Sequence, residues 1–363
     1  MLSLILPTYN ESENIRHLLP KIGNTLAGIP HEIIIVDDDS PDRTWQIAQE
    51  LTRDDDHIRV IQRIGRRGLS SAILEGFLIA KGDILAVMDA DGQHDSDLIP
   101  ALYKAAMDGA DVVIGSRYIA GGGVGQWDGR RHHLSRLATR LTRWFCRVSV
   151  ADPMSGFFVI RKHTFDAIAD RLKPTGFKML LDILVHLPPG TTVRELPYTF
   201  GIRKHGESKL SWKVQLDFLE YLYDVSLGTV IPLLFVKYCI VGTLGVVVQT
   251  SAYYLFSALF RNSAALTVFH FSVAVLLAIE TAIIFNFLLN NAWTFADSRL
   301  RGGSAFIGFA KYNVACAFGA LANMAVSTFL YSIGTAELVS VVVGAATGVV
   351  WNYTMSRMVT WKS

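Results

Sequence analysis

The chain has 363 residues, 51% of them hydrophobic, with a mean hydropathy of +0.32. That is too apolar for an ordinary soluble protein and too long for one typical domain. A net charge of +2 argues neither for nor against a polyanionic partner, and no nucleic-acid partner is expected. Three cysteines exclude a fully paired disulfide framework. Cys239 and Cys316 fall in apolar runs, where a free cysteine serves as a small buried hydrophobe.

From the N-terminus, "LSLILP" reads as a strand, and no basic leader precedes it, so no secretory signal is expected. The polar "NESENIRHLLPKIGNTL" is helix-compatible. "HEIIIVDDD" is a second strand, followed by "SPDRTWQIAQELTR", a helix in which Ser40 is the expected cap and Pro41 occupies the first turn. "IRVIQR", a helix near "SSAILEGFLIAK" and the strand "GDILAVMDAD" complete the series. Strands alternating with helices predict a parallel sheet covered on both faces. Ligands of such sheets bind beyond the carboxyl ends of the strands.

Acidic residues cluster at those ends: "PTYNE", "VDDDSPD" and "MDADGQHDSD". Three such clusters on one sheet edge predict a shared site. No glycine-rich dinucleotide fingerprint follows the first strand, which disfavours a nicotinamide dehydrogenase. "DADGQH" is not an EF-hand loop either, because its glycine is fourth rather than sixth from Asp89 and no Glu stands at position twelve. Asp95 and Asp97 read as the start of the next helix, where negative charge suits the N-terminus.

After a stretch "KLSWKVQLDFLEYLYDVSLG" (209–228) that reads as an interfacial helix, the charges thin out. Twenty-three uncharged residues separate Lys237 from Arg261, and Glu280 is the only formal charge from there to Asp297. Twenty-five more lie between Lys311 and Glu337, and 19 from Leu338 to Ser356. About 20 apolar residues span a bilayer, so four transmembrane helices are predicted near 236–260, 265–290, 308–333 and 337–357. Four spans place the N-terminal part, the middle loop and the C-terminus on one side. That side carries Lys209, Lys213, Lys237, Arg299, Arg301, Lys311, Arg357 and Lys362, against Arg261 alone on the other. Both termini are therefore expected to be cytoplasmic. "FVKY" (235–238) recurs as "FAKY" (309–312), and "NFLLNNAWTF" (286–295) weakly as "NYTMSRMVTW" (352–361), the mark of a duplicated two-helix unit. Glu280, with Asn286, Asn290 and Asn291 nearby, raises a polar path for flipping a lipid-linked sugar, against simple pairing between helices.

Seven strings occur in order: "LPTYNE", "VDDDSPD", "MDADGQH", "GSRY", "GGGVGQWDGRRHHLSR", "DPMSGFFVIRK" and "GIRKHGESKL". In these the chain resembles glycosyltransferase family 2, in the branch of the polyprenyl-phosphate hexose synthases and most closely the dolichol-phosphate mannose synthases. The tail resembles a GtrA-like membrane domain. The resemblance implies a GT-A glycosyltransferase domain (1–207), interfacial helices (208–232) and an all-α transmembrane domain (233–363). It implies inverting transfer of mannose from GDP-mannose to a dolichyl or polyprenyl monophosphate, with Mg²⁺ or Mn²⁺, at the lipid bilayer. A homo-oligomer formed through the membrane domain is compatible with it. UDP-glucose or another nucleotide sugar is the alternative donor.

By the same resemblance Pro7, Tyr9, Glu11, Val36, Asp38, Asp39, Asp89, Ala90, Asp91, Arg203 and Lys209 bind the nucleotide sugar. Arg117, Arg131 and Ser135 bind the lipid phosphate, and Asp91 and Gln93 the metal. Asp89, Asp91, Arg117 and Arg203 carry the reaction. The chemistry agrees: a departing diphosphate gathers charge that a hard cation with oxygen ligands offsets. Arginine forks suit the acceptor phosphate, which carries charge already and needs no general base. A processive polysaccharide synthase is disfavoured, because its Gln-x-x-Arg-Trp motif appears here only as "RLTRW" (Arg140–Trp144), ahead of every span.

Overall fold

In the computed structural model the apolar runs of the N-terminal part become one sheet whose central strands are buried on both sides. The structure describes residues 1–53, 55–125, 129–146, 148–173, 179–201, 212–228, 230–260, 267–268 and 271–362, with backbone alone at 129–134, 212–217, 267–268 and 271–272. Two compact units form, Met1–Ser226 and Leu227–Ser363.

The first unit contains strands β1 (Leu2–Thr8), β2 (His31–Asp37), β3 (Ile58–Gln62), β4 (Ile84–Val87), β5 (Val112–Ser116), β6 (Phe158–Arg161) and β7 (Val193–Pro197). They are ordered 3-2-1-4-6-5-7, and β6 alone runs against its neighbours. Helices α1 (Ser12–Thr25), α2 (Thr44–Leu51), α3 (Leu69–Ile79), α4 (Ile99–Met107), α5 (Gly129–Cys146), α6 (Lys162–Asp166), α7 (Met179–His186) and α8 (Trp212–Ser226) intervene or follow. Successive strand residues point to opposite faces, which yields two cores. Leu4, Leu6, Ile33 and Ile35 meet Ile15, Leu19 and Leu102 of α1 and α4. Ile5, Ile34 and Val36 meet Ile73, Phe77 and Ile183 of α3 and α7. Gly76 lets α3 approach the sheet, since a Cβ there would lie 2.8 Å from the Ile5 side chain.

One local expectation changes. Helix α2 starts at Thr44, not at Ser40–Pro41. Ser40 is drawn away by the buried Asp37, which accepts from its amide at 2.8 Å and its hydroxyl at 2.6 Å. The amphipathic α8 turns Phe218 and Leu222 into the first unit, against Leu181, Leu141 and Met154, so that face of the helix is occupied by protein.

In the second unit, α9 (Leu233–Leu259), α10 (Val273–Leu289), α11 (Gly303–Ser332) and α12 (Glu337–Met355) are long and apolar enough to cross a membrane. Between α9 and α10 lie the short strands β8 (Thr267–Val268) and β9 (Phe271–Ser272). Exposed apolar side chains such as Val246, Tyr254, Phe306 and Leu338 coat these helices, as lipid-facing surfaces require. The duplication is visible in the packing. Buried Ala274, Ala278 and Ala282 of α10 repeat as Ser340, Gly344 and Gly348 of α12. Both helices end in a π-helical turn, Asn290–Thr294 and Ser356–Thr360. In each hairpin a glycine faces an asparagine amide, Gly245 against Asn286 and Gly319 against Asn352.

The hairpins then exchange contacts. Asn290 of the first reaches Tyr312 of the second at 3.5 Å, and Ser356 of the second reaches Tyr238 of the first at 3.4 Å. Glu280 accepts from Asn313 of α11 at 2.8 Å, the simple pairing between helices. Gly319→Val drives a side chain into Asn352, and overpacking of this kind costs on the order of 1–3 kcal/mol. A lowered thermal unfolding midpoint in detergent is the expected reading. An unchanged midpoint would show that the helices have room.

Candidate active site

Because β1, β2 and β4 are parallel and in register, Thr8 pairs with Asp37 and Ile5 with Val87, and the three acidic loops leave the sheet from one edge. Pro7 is tolerated here because the β1–β4 pairing ends at Ile5, so no ladder bond needs its missing N–H. Asp37 laces the loops: besides Ser40 it accepts from Thr8 Oγ1 at 2.7 Å. Ser40 in turn accepts from Asn10 N, Thr44 from Glu11 N, and Asp42 from Ser12 N. Asn10, Asp39 and Arg43 all take positive φ in these two loops, a local strain that the network offsets.

Around the first two loops, Tyr9 lies under Arg67, whose guanidinium carbon is 4.7 Å from the ring centre. Glu11 accepts from Asn14 at 2.7 Å. Val36 is fully buried at the end of β2. Asp38 is buried, accepts from Gly68 N at 2.7 Å, and lies 3.0 Å from Nε of the buried Arg63. Burial raises its pKa above the ordinary aspartate value, against the pull of the Gly68 bond and Arg63. Asp39 accepts from Gln62 at 2.6 Å.

The third loop is held at both ends. Asp91 accepts from the Gln93 amide at 3.0 Å. Gln93 exchanges two bonds with Gly201, its carbonyl accepting at 2.7 Å and its Nε2 donating at 3.0 Å. Ala90 is buried in the core beneath the sheet edge. Asp89 donates its backbone N–H to Nδ1 of His94 at 3.1 Å. Its carboxylate passes so close to Gly156 that a Cβ there would lie 2.8 Å from Oδ2. His94 is buried against Phe157, Tyr198 and Phe200, and burial pushes its pKa down to about 4, so the ring is neutral near pH 7. Asp95 caps the turn into α4 by accepting from Asp97 N at 3.1 Å.

Arg117, at the end of β5, is bound bidentately by Asp152, Nε and Nη2 donating at 2.7 and 2.8 Å, and its own amide donates to the same carboxylate at 3.0 Å. Asp152 is fully buried, and Glu195 accepts from the Ala151 and Asp152 amides. Burial opposes the charge on Arg117, but Asp152 overcomes it and holds the guanidinium protonated above its ordinary range. Ser135 on α5 shares a 2.8 Å hydrogen bond with Tyr118. Arg131 is on the first turn of α5, its side chain outside the described set. Arg203 and Lys209 lie outside the described residues.

Residues 3–169 match the family model for glycosyl transferase family 2, and 237–361 match the GtrA/DPMS transmembrane domain. A dolichol-phosphate mannosyltransferase of Pyrococcus furiosus is 40% identical over 361 residues, 99% of each chain. The chain belongs to the dolichol-phosphate mannosyltransferase family. Another member, from Saccharomyces cerevisiae, is 37% identical over 61% of this chain and 86% of its own. A polyprenol monophosphomannose synthase of Mycolicibacterium smegmatis is 35% identical over 57% of this chain and 80% of its own.

For this mannosyltransferase-family chain, an all-protein metal cage is not built: among the described residues no three His, Cys, Asp or Glu side chains converge. The donor set still fits a hard cation shared with a diphosphate, which typically takes one or two carboxylates plus phosphate oxygens and water. Asp91 supplies a carboxylate, and the Nε2 bond to Gly201 turns the Gln93 amide so that Oε1 is its remaining oxygen donor. Sequence reasoning left His94, Asp152 and Gly156 without a role. Asp152 sits in the quoted "DPMSGFF", but its partner Arg117 is 35 positions away, and no spacing rule joins them.

Proposed function

We propose that the chain transfers mannose from GDP-mannose to a dolichyl or polyprenyl monophosphate at the cytoplasmic membrane face. One observation carries the reading: the loops bearing Asp38, Asp89 and Asp91 share one sheet edge in a chain aligned end to end with a dolichol-phosphate mannosyltransferase. The nucleotide is held by Tyr9, Glu11, Val36, Asp38 and Asp39, with Pro7 and Ala90 shaping the backbone. Asp38 accepts from base or ribose groups. Asp89 and Asp91 face the diphosphate end, and Arg203 and Lys209 add charge there.

The acceptor phosphate oxygen attacks the sugar C1 in line, its C1–O bond forms as the bond to the donor diphosphate breaks, and GDP leaves with inversion. Arg117, Arg131 and Ser135 orient the acceptor phosphate. Mg²⁺ or Mn²⁺, when held by Asp91 and Gln93, offsets the charge gathering on the leaving diphosphate. The basic residues flanking the spans support a cytoplasmic site. Engagement of the bilayer is supported by α5, whose outer surface mixes Arg136, Arg140 and Arg143 with exposed Leu137 and Trp144, the last 75% exposed.

Membranes given labelled GDP-mannose or UDP-glucose together with a polyprenyl phosphate test the donor. Label is expected in lipid from GDP-mannose. Labelling from UDP-glucose alone would overturn the mannose assignment.

A further inference from the structure

We propose that His94 is a positioning residue for the transfer, acting through Asp89; the inference rests on the role given to Asp89 above. A backbone N–H donates only to an unprotonated ring nitrogen, so the Asp89 N–H···Nδ1 contact of 3.1 Å puts the proton of the neutral ring on Nε2. Nε2 lies 3.9 Å from Oδ2 of the same aspartate. That is too long for a hydrogen bond, but it leaves the carboxylate one small shift from the Nε2–H, and site contacts of this kind tighten when substrate binds. One imidazole therefore addresses both the backbone and the carboxylate of Asp89.

The ring is fixed in turn. It stacks on Phe157 with centres 5.3 Å apart and planes at 15°, and meets Tyr198 and Phe200 edge-on at 5.8 and 5.4 Å. Phe157 follows Gly156, whose missing side chain makes room for Oδ2 of Asp89. Phe200 precedes Gly201, which is bonded twice to Gln93. The residues that immobilise His94 thus adjoin those that hold the acidic loop, and the imidazole joins the two sets. A residue serving the core alone needs neither ring nitrogen directed at Asp89; phenylalanine would fill the same aromatic box.

The test is a double-mutant cycle on the full chain in detergent, with GDP-mannose and a polyprenyl phosphate. His94→Phe keeps the stacking and loses both nitrogen contacts. Its kcat is expected to fall on the order of 10- to 100-fold, the range for removing a supporting partner of a site ligand, with the acceptor KM little changed. His94→Asn, which offers an acceptor at the Nδ1 position, is expected to recover most of that loss. In an Asp89→Asn background His94→Phe is expected to cost less than about twofold, because coupled residues are not additive.

Equal losses in both backgrounds, or a His94→Phe variant as fast as wild type, would overturn the proposal. If His94→Phe does not fold, His94→Gln, which lacks an acceptor at the Nδ1 position, replaces it in the same cycle. Normal turnover by Asp89→Asn alone would be a separate failure: it would remove Asp89 from the proposed mechanism, and this inference with it.

Discussion

Asp91→Ala is expected to abolish mannosyl transfer, by on the order of 10³-fold or more, while leaving the fold intact. The leaving diphosphate gathers charge in the transition state, and stabilising such charge is the largest single contribution in most sites, one well-placed donor being worth about 10²–10³-fold. Asp91 is the carboxylate proposed to hold the cation that does this. In the fold it sits beyond the last residue of β4 and accepts the Gln93 amide. Label transfer to lipid and thermal unfolding, measured on the same preparation, separate the two effects. Asp91→Asn keeps the size and the acceptor for Gln93, and the same loss is expected from it. Near-normal turnover in either variant would remove the proposed metal role.

Asp152→Ala is expected to cost about 3–5 kcal/mol of stability, the usual penalty for leaving one member of a buried ion pair without its partner. Both charges are shielded, Asp152 at 0% and Arg117 at 10% side-chain exposure, and the carboxylate takes three donors from Arg117. Denaturant unfolding reads the loss. Replacing both partners, as Arg117→Met with Asp152→Leu, is expected to return much of the stability, because an apolar pair of similar volume does not carry the desolvation cost. Activity is not expected to return with it, since Arg117 is also proposed to orient the acceptor phosphate. A double variant with normal transfer would make the pair purely structural; unchanged stability in Asp152→Ala would refute its structural weight.

The elements that were legible in the sequence are those whose cause is local. The apolar runs of β1, β2 and β4 and the four long uncharged stretches declare themselves, because burial on both faces or in lipid demands continuous hydrophobicity. The membrane duplication was legible too, since Tyr238 and Tyr312 or Asn286 and Asn352 mark corresponding places in the two hairpins. Ser40 does not cap the helix because Asp37, three residues before it and itself tied across the sheet to Thr8, takes both its amide and its hydroxyl.

By itself, the sequence determined that acidic loops follow apolar strands and that four apolar helices follow an α/β unit. Periodicity and length suffice for that. Only the tertiary structure decided that Asp152 belongs to Arg117, that Gly201 clamps Gln93, and that His94 turns a nitrogen toward Asp89. The first two pairs lie on different strands and loops that the sheet order brings together, and His94, which shares its loop with Asp89, is held by the distant Phe157, Tyr198 and Phe200; no local spacing records these meetings.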